Sequence, residues 1–157
     1  MDANFDTARC VTQTVTSVFE TMIRLPALVS AEPPQGPDAE RVTGSIGVAG
    51  EFVTGAVYLH LPEPLARRAA GAMLGLPGPA PTDGPAVSDV IGELTNMVAG
   101  GLKSALNDAG AECGMSTPSV IRGRHFAIET GPDITRSLLH FSCENQPFSV
   151  EVHLKFN

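Results

Sequence analysis

The sequence predicts an α+β protein with one mostly antiparallel sheet and two long helices packed on one face of it. In two long segments the apolar residues recur at steps of three and four, which is typical of amphipathic helices. In five other segments apolar and polar residues alternate, which is typical of strands with one face on a core. Because short turns separate successive strands, we expect antiparallel pairing to dominate.

The first part of the chain predicts a helix followed by a hairpin. The helix spans residues 5–24 and ends before Pro26, since proline cannot continue a helix. Residues 30–39 are rich in proline and in turn-forming residues and predict a surface loop. Residues 42–48 and 53–60 then alternate in period two around a Gly-Glu turn, so they predict two paired strands.

Two further helices are predicted after the hairpin. A short helix covers residues 65–75, and a loop rich in proline and glycine covers residues 75–85. The long helix begins between Gly84 and Ser88 and ends near Gly110. Ser88 is one candidate for its N-terminal cap, and Gly84 ahead of a proline is the other.

Three strands are predicted to close the chain. They span residues 119–129, 134–143 and 148–156, and residues 144–147 form the turn between the last two. Since a helix followed by a hairpin occurs twice along the chain, the order of elements also suggests an internal duplication.

Composition bounds the class of protein. The 157 residues fit a single domain over residues 1–157. Seventeen Asp and Glu against ten Lys and Arg give a net charge of -7, which argues against a nucleic-acid partner. No apolar run is long enough to span a bilayer, and the acidic N-terminus lacks the pattern of a secretory signal. Three separated cysteines fit a reducing compartment, so we expect a cytoplasmic protein without a membrane partner.

Other residue types with chemical potential give weaker signals. Four histidines are scattered over the chain without zinc-ligand spacing, so we expect surface or structural roles and no metal site. His60 and His153 fall on outward-facing positions of their predicted strands. The glycines between Gly44 and Gly50 lie in a predicted strand with no helix after it, which favours bends or close backbone packing over a phosphate loop.

The long helix carries the most informative pattern. At about 100° per residue, an acid, an amide and a glycine share one polar arc of about 80° opposite the apolar side. This arc includes Asp89, Glu93, Asn96, Gly100 and Lys103. An ordinary solvated helix face would give the same pattern. Gly100 and Gly101 weaken this interpretation, because a glycine inside an exposed helix costs about 1 kcal/mol in stability and usually serves packing or access.

The run from Asp89 through Glu93 and Asn96 resembles the D/S-x-x-x-E-x-x-N signature of the CheC/CheX/FliY chemotaxis phosphatases. The resemblance extends to Met73-Leu74-Gly75, to residues 116–123 and to the alternating C-terminal strand, so it covers most of the chain. It agrees with the order of elements given above. The first helix has Glu20 but Ile23 where a second signature would have Asn, and a single site of this kind resembles the CheX branch.

The resemblance implies an enzyme that hydrolyses the aspartyl phosphate of a CheY-type response regulator. Asn96 would hold the attacking water in line with phosphorus, and Glu93 would pair with the receiver lysine. Asp89, Gly100 and Lys103 would belong to the partner-binding surface. The resemblance implies no cofactor in this chain, since the receiver brings a divalent metal such as Mg²⁺. It also implies a homodimer.

Two alternatives stay open at this point. The same fold resembles the middle domain of flagellar switch proteins, so the chain could be a receiver-binding adaptor or scaffold without catalysis. A domain whose partner is not a chemotaxis regulator is the other alternative. The intact pair of Glu93 and Asn96 favours the enzyme, because a pure binder needs no amide at the water position.

Overall fold

In residues 5–31 and 39–157, which the computed structural model describes, seven strands form one antiparallel sheet. The predicted α+β class is therefore confirmed, while most of the predicted 30–39 loop, residues 32–38, lies outside the described residues. The elements in chain order are α1 (Thr7–Val18) with a π-helical turn (Phe19–Ile23), β1 (Leu28–Val29), β2 (Arg41–Ala49), β3 (Val53–Pro62), α2 (Glu63–Met73), α3 (Ala86–Asp108), β4 (Gly114–Met115), β5 (Ser119–Gly123), β6 (Thr135–Cys143) and β7 (Gln146–Phe156).

The sheet runs in the order β1, β6, β7, β3, β2, and both β4 and β5 pair with the free side of β2. The predicted hairpins are present as β2 with β3 and β6 with β7. Glu144 and Asn145 both have positive φ, of 49° and 62°, so a two-residue turn with the handedness that suits a hairpin joins β6 to β7. The suggested internal duplication stays a prediction.

One face of the sheet is apolar and carries the helices. Alternate residues of the central strands, such as Val57 and Leu59 of β3, are fully buried beneath α3 and its neighbours. The two long helices, α1 and α3, lie on this face as predicted, and the shorter α2 packs beside them. This arrangement follows from the period of two in the strands and 3.6 in the helices, which gives each element one apolar side to bury.

Helices α1 and α3 run in opposite directions across the sheet. The start of α1 lies at the end of the sheet where the rings of Phe5 and Phe156 pair at 6.3 Å, and its end lies where Phe19 stacks on Phe148 at 4.7 Å. Helix α3 ends at the same end of the sheet where α1 starts, because the Glu112 backbone just after α3 lies against Gly50 in the β2–β3 turn. The C-terminal half of α3 therefore faces the N-terminal half of α1.

The predicted strand over residues 119–129 is wrong in its second half, because β5 ends at Gly123. His125 has φ of +57°, a left-handed conformation that ends an extended strand. The chain then turns so that the guanidinium of Arg41 lies 4.0 Å over the Phe126 ring and donates a hydrogen bond to the Phe126 carbonyl. Strand β5 pairs with β2 near one edge of the sheet, and β6 pairs with β7 near the other edge. Residues 124–134 therefore cross between the two edges.

The sheet face opposite the helices holds a buried polar network centred on Glu151 of β7. One carboxylate oxygen lies 3.0 Å from His60 Nε2, and the other lies 2.7 Å from both His153 Nε2 and Arg136 Nε. His60 Nδ1 is paired with the Thr43 hydroxyl at 2.8 Å. His60 and His153 do lie on the outward positions predicted, but they are only 3% and 4% exposed, so their role is structural.

Burial alone would raise the pKa of Glu151, but hydrogen bonds from His60, Arg136 and His153 outweigh it and lower the pKa to about 2. The carboxylate is therefore ionised throughout the neutral range. A buried charge is tolerated here because both of its oxygens are hydrogen-bonded.

Candidate functional site

Helix α3 supplies the candidate site. It begins at Ala86, inside the predicted interval, and ends at Asp108. Neither Ser88 nor Gly84 is its cap: Pro85 occupies that position, and Ser88 lies inside the first turn. Proline suits a helix start because it has no N–H to leave without a partner. The predicted apolar side of the helix is on the core, and its buried members include Val90, Leu94, Val98, Leu102 and Leu106.

The five predicted site residues lie along one exposed side of this helix, which we call the polar face of α3. Asp89 and Glu93 are exposed, and Asn96, Gly100 and Lys103 are half-buried. Glu93 and Asn96 are three residues apart, which separates them by about 4.5 Å along the helix axis and about 60° around it. Within residues 5–31 and 39–157, neither side chain is hydrogen-bonded or ion-paired. The structure thus brings the predicted pair together on an accessible surface.

The glycines of α3 have different reasons to be glycine. A Cβ on Gly101 would overlap the Thr14 side chain of α1, and the Cys10 thiol lies 3.7 Å from the Gly101 carbonyl oxygen. Gly101 therefore permits close packing of two helices. A Cβ on Gly100 would meet no atom of residues 5–31 and 39–157 within 4 Å, so packing among these residues does not require a glycine there. Within this part of the chain, no contact explains the cost of Gly100 to helix stability.

Beneath the polar face, α3 lies unusually close to β2. A Cβ on Gly44 would overlap the Thr95 side chain, and the Thr95 hydroxyl donates to the Ile91 carbonyl at 2.6 Å. Thr95 is fully buried, although it is polar and adjoins Asn96. The prediction that Gly44 serves close backbone packing is confirmed. The contact with Thr95 was not predicted, because one sequence does not show which helix residue lies over a given strand residue.

Lys103 at the far end of the polar face lies near the Cys113 thiol. Burial raises the pKa of Cys113, and the positive charge of Lys103 partly offsets this effect. The described part of the chain contains no group of three or more His, Cys, Asp or Glu side chains that could hold a metal ion. Nor does any helix in that part have the length and apolar character needed to cross a membrane.

The polar face offers binding and positioning chemistry. An Asn amide both donates and accepts hydrogen bonds and stays neutral, so it can orient a water molecule next to an anionic group. A Glu carboxylate one turn away can form a charge-assisted hydrogen bond to a cationic side chain of a partner. Open space over Gly100 lets another protein surface come close to the helix backbone. Together these features give the polar face of α3 an accessible amide, an accessible carboxylate and room for an approaching surface.

Comparison with known families identifies the chain. Residues 42–142 match the family described as "Chemotaxis phosphatase CheX", and this match covers more than half of the sequence. The chain therefore belongs to the CheX family of chemotaxis phosphatases. The resemblance seen in the α3 signature is confirmed by this result. No curated protein matches the sequence.

Solved structures share this fold over nearly the full length of the sequence. The chemotaxis protein CheX from Vibrio vulnificus is 26% identical with a TM-score of 0.82, over 99% of this chain and 100% of that one. A CheC-like superfamily protein from Shewanella sp. PV-4 is 29% identical with a TM-score of 0.80, over 99% of each chain. A CheX in complex with CheY, BeF3 and Mg²⁺, from Borrelia burgdorferi, is 18% identical with a TM-score of 0.74, over 98% and 99%.

Proposed function

We propose that this protein hydrolyses the aspartyl phosphate of a CheY-type response regulator that docks on the polar face of α3. The observation that carries the proposal is the placement of Glu93 and Asn96 side by side on the solvent-facing side of α3 in a CheX-family fold. The Borrelia burgdorferi complex supports the choice of partner, since that CheX binds CheY together with BeF3 and Mg²⁺.

Asn96 acts in this proposal by positioning water. Its amide accepts a hydrogen bond from the attacking water and holds the oxygen in line with phosphorus and the leaving aspartyl oxygen. A neutral amide is suited to this place because it adds no negative charge beside a phosphoryl group. Fixing one water in the attack geometry removes much of the entropic barrier of hydrolysis. The receiver supplies the phosphorylated aspartate and the divalent metal.

Glu93 sets the docking geometry. Its carboxylate pairs with a receiver lysine, and the rigid spacing along α3 then fixes where Asn96 points. Asp89 adds a second negative charge in the first turn of α3, where the helix dipole stabilises it. Gly100 leaves room for the receiver backbone, and Lys103 marks the far end of the contact.

Phosphate release from a phosphorylated CheY-type receiver, with and without this protein, tests the proposal. The parent protein should accelerate release. Glu93→Ala should weaken receiver binding about tenfold or more and slow hydrolysis, because an unpaired lysine is left at the interface. Glu20→Ala is the matched control, since Glu20 is an exposed glutamate on the helical segment that lacks the signature Asn. Binding without acceleration by the parent would instead favour a receiver-binding adaptor.

A further inference from the structure

We propose that the connection between β4 and β5, formed by Ser116, Thr117 and Pro118 and called here the 116–118 segment, is a second part of the receiver-binding surface and limits how the receiver sits on α3. This inference rests on the proposed phosphatase function.

The 116–118 segment lies beside the polar face of α3. A Cβ on Gly92 would lie 3.5 Å from the Pro118 ring, so the proline packs against the helix at Gly92. Gly92 is one helical turn before Asn96 and about 40° to one side of it. Glu93 lies about 60° to the other side of Asn96, and Gly101, which contacts α1, lies further round in that direction. Asn96 is therefore closer than Glu93 to the 116–118 segment.

Hydrogen bonds hold the 116–118 segment to the sheet. The Ser116 backbone N–H donates to the Gly47 carbonyl at 2.9 Å, and the Gly47 N–H donates to the Ser116 hydroxyl oxygen at 2.9 Å. The Ser116 hydroxyl donates in turn to the Thr117 carbonyl at 3.1 Å. These bonds fix the 116–118 segment to β2, which also contacts α3 through Gly44. The distance between the 116–118 segment and α3 is therefore fixed by β2.

The outer side of the 116–118 segment is accessible to a partner. Thr117 and Pro118 are both exposed, and they present a hydroxyl and a pyrrolidine ring. The ring already fixes the backbone angle φ of Pro118. A receiver that places its phosphoryl group over Asn96 has to extend past the 116–118 segment, because α3 is only one helix wide. The segment restricts sliding of the receiver across the helix, so it affects docking rather than the chemical step.

The test compares Thr117→Arg with Thr54→Arg in the phosphate-release assay with a phosphorylated CheY-type receiver. Thr54 is an exposed threonine of β3 that points to the sheet face opposite the helices, so both variants add the same charge and bulk. Thr117→Arg should raise KM for the receiver by about tenfold and leave kcat within about twofold, while Thr54→Arg matches the parent. Ser116→Ala, which removes the hydroxyl that ties the 116–118 segment to Gly47, should raise KM several-fold with kcat unchanged.

Equal KM values for Thr117→Arg, Thr54→Arg and the parent would overturn the inference while leaving the proposed function in place. A loss in kcat at unchanged KM would also overturn it. If the parent does not hydrolyse the receiver phosphate, the proposed function fails, and receiver affinity measured by fluorescence anisotropy decides the inference: weaker binding by Thr117→Arg alone supports it, and equal binding overturns it. A parent that neither hydrolyses nor binds overturns both.

Discussion

Glu151→Gln should destabilise the fold strongly, although Glu151 lies far from the polar face of α3. The carboxylate is 3% exposed and holds three nitrogen partners, those of His60, Arg136 and His153. Glutamine keeps the shape but loses the charge, and its NH2 group can only donate, so at least one of these nitrogens loses its acceptor.

The structure sets the size of this effect. The difference between a folded pKa of about 2 and the ordinary value of 4.5 corresponds to about 3 kcal/mol of stability at neutral pH. Breaking a buried ionic contact from one side costs about 3–5 kcal/mol in proteins, which agrees with that figure. We therefore expect Glu151→Gln to lower the free energy of unfolding by about 3 kcal/mol at pH 7.

The pH dependence has a defined sign. In the unfolded chain Glu151 takes up a proton near its ordinary value of 4.5, whereas the folded protein keeps it ionised down to a pKa of about 2. The contribution of Glu151 to stability is thus fully present above pH 4.5 and is lost as pH falls toward 2. The difference in unfolding free energy between the parent and Glu151→Gln should fall by roughly half by pH 3.

Urea unfolding at several pH values is the assay, and Glu144→Gln is the matched control. Glu144 pairs with Arg68 at 3.1 Å, but both side chains are over a third exposed, so its loss should cost less than about 1 kcal/mol. Equal effects of the two variants, or a difference between parent and Glu151→Gln that does not change with pH, would refute the reasoning.

Three further predictions concern packing and assembly. Gly100→Ala should raise the free energy of unfolding by about 1 kcal/mol, and Gly101→Ala should lower it because a Cβ would overlap Thr14; the opposite order in urea unfolding would contradict the helix geometry. Gly44→Ala should cost about 1–3 kcal/mol, since α3 must move away from β2 to clear Thr95, and an unchanged melting temperature would argue against this contact. A homodimer, expected from the family resemblance, should give a light-scattering mass twice the 16.4 kDa of one chain, and a monomer mass would contradict it.

The periodic segments could be predicted from sequence because their burial is decided locally. The alternation in residues 148–156 places its even-numbered residues on the helix-bearing face, and β7 has this orientation. The 3.6-residue period of α3 likewise separates its buried side from the polar face. Strands β1 and β4 have two residues each, too few for a period to show.

Errors arose where distant segments decide the outcome. The pattern of residues 119–129 continues past Gly123, but the positive φ of His125 and the contact of Phe126 with Arg41 end the strand. The alternation of residues in β3 placed His60 on the sheet face opposite the helices. It gave no sign that this face is buried at His60. The helical period placed Gly100 on the polar face, but it did not show that Gly101 is a packing residue, because that depends on the position of α1.

The most direct test of the account is single-turnover release of phosphate from a phosphorylated CheY-type receiver by the parent, by Asn96→Ala and by Asn157→Ala. Asn157 is an exposed asparagine at the end of the chain and serves as the matched control. We expect Asn96→Ala to bind the receiver as the parent does but to lose at least about a hundredfold in rate, while Asn157→Ala retains the parent rate. Hydrolysis by Asn96→Ala at the parent rate would contradict the account.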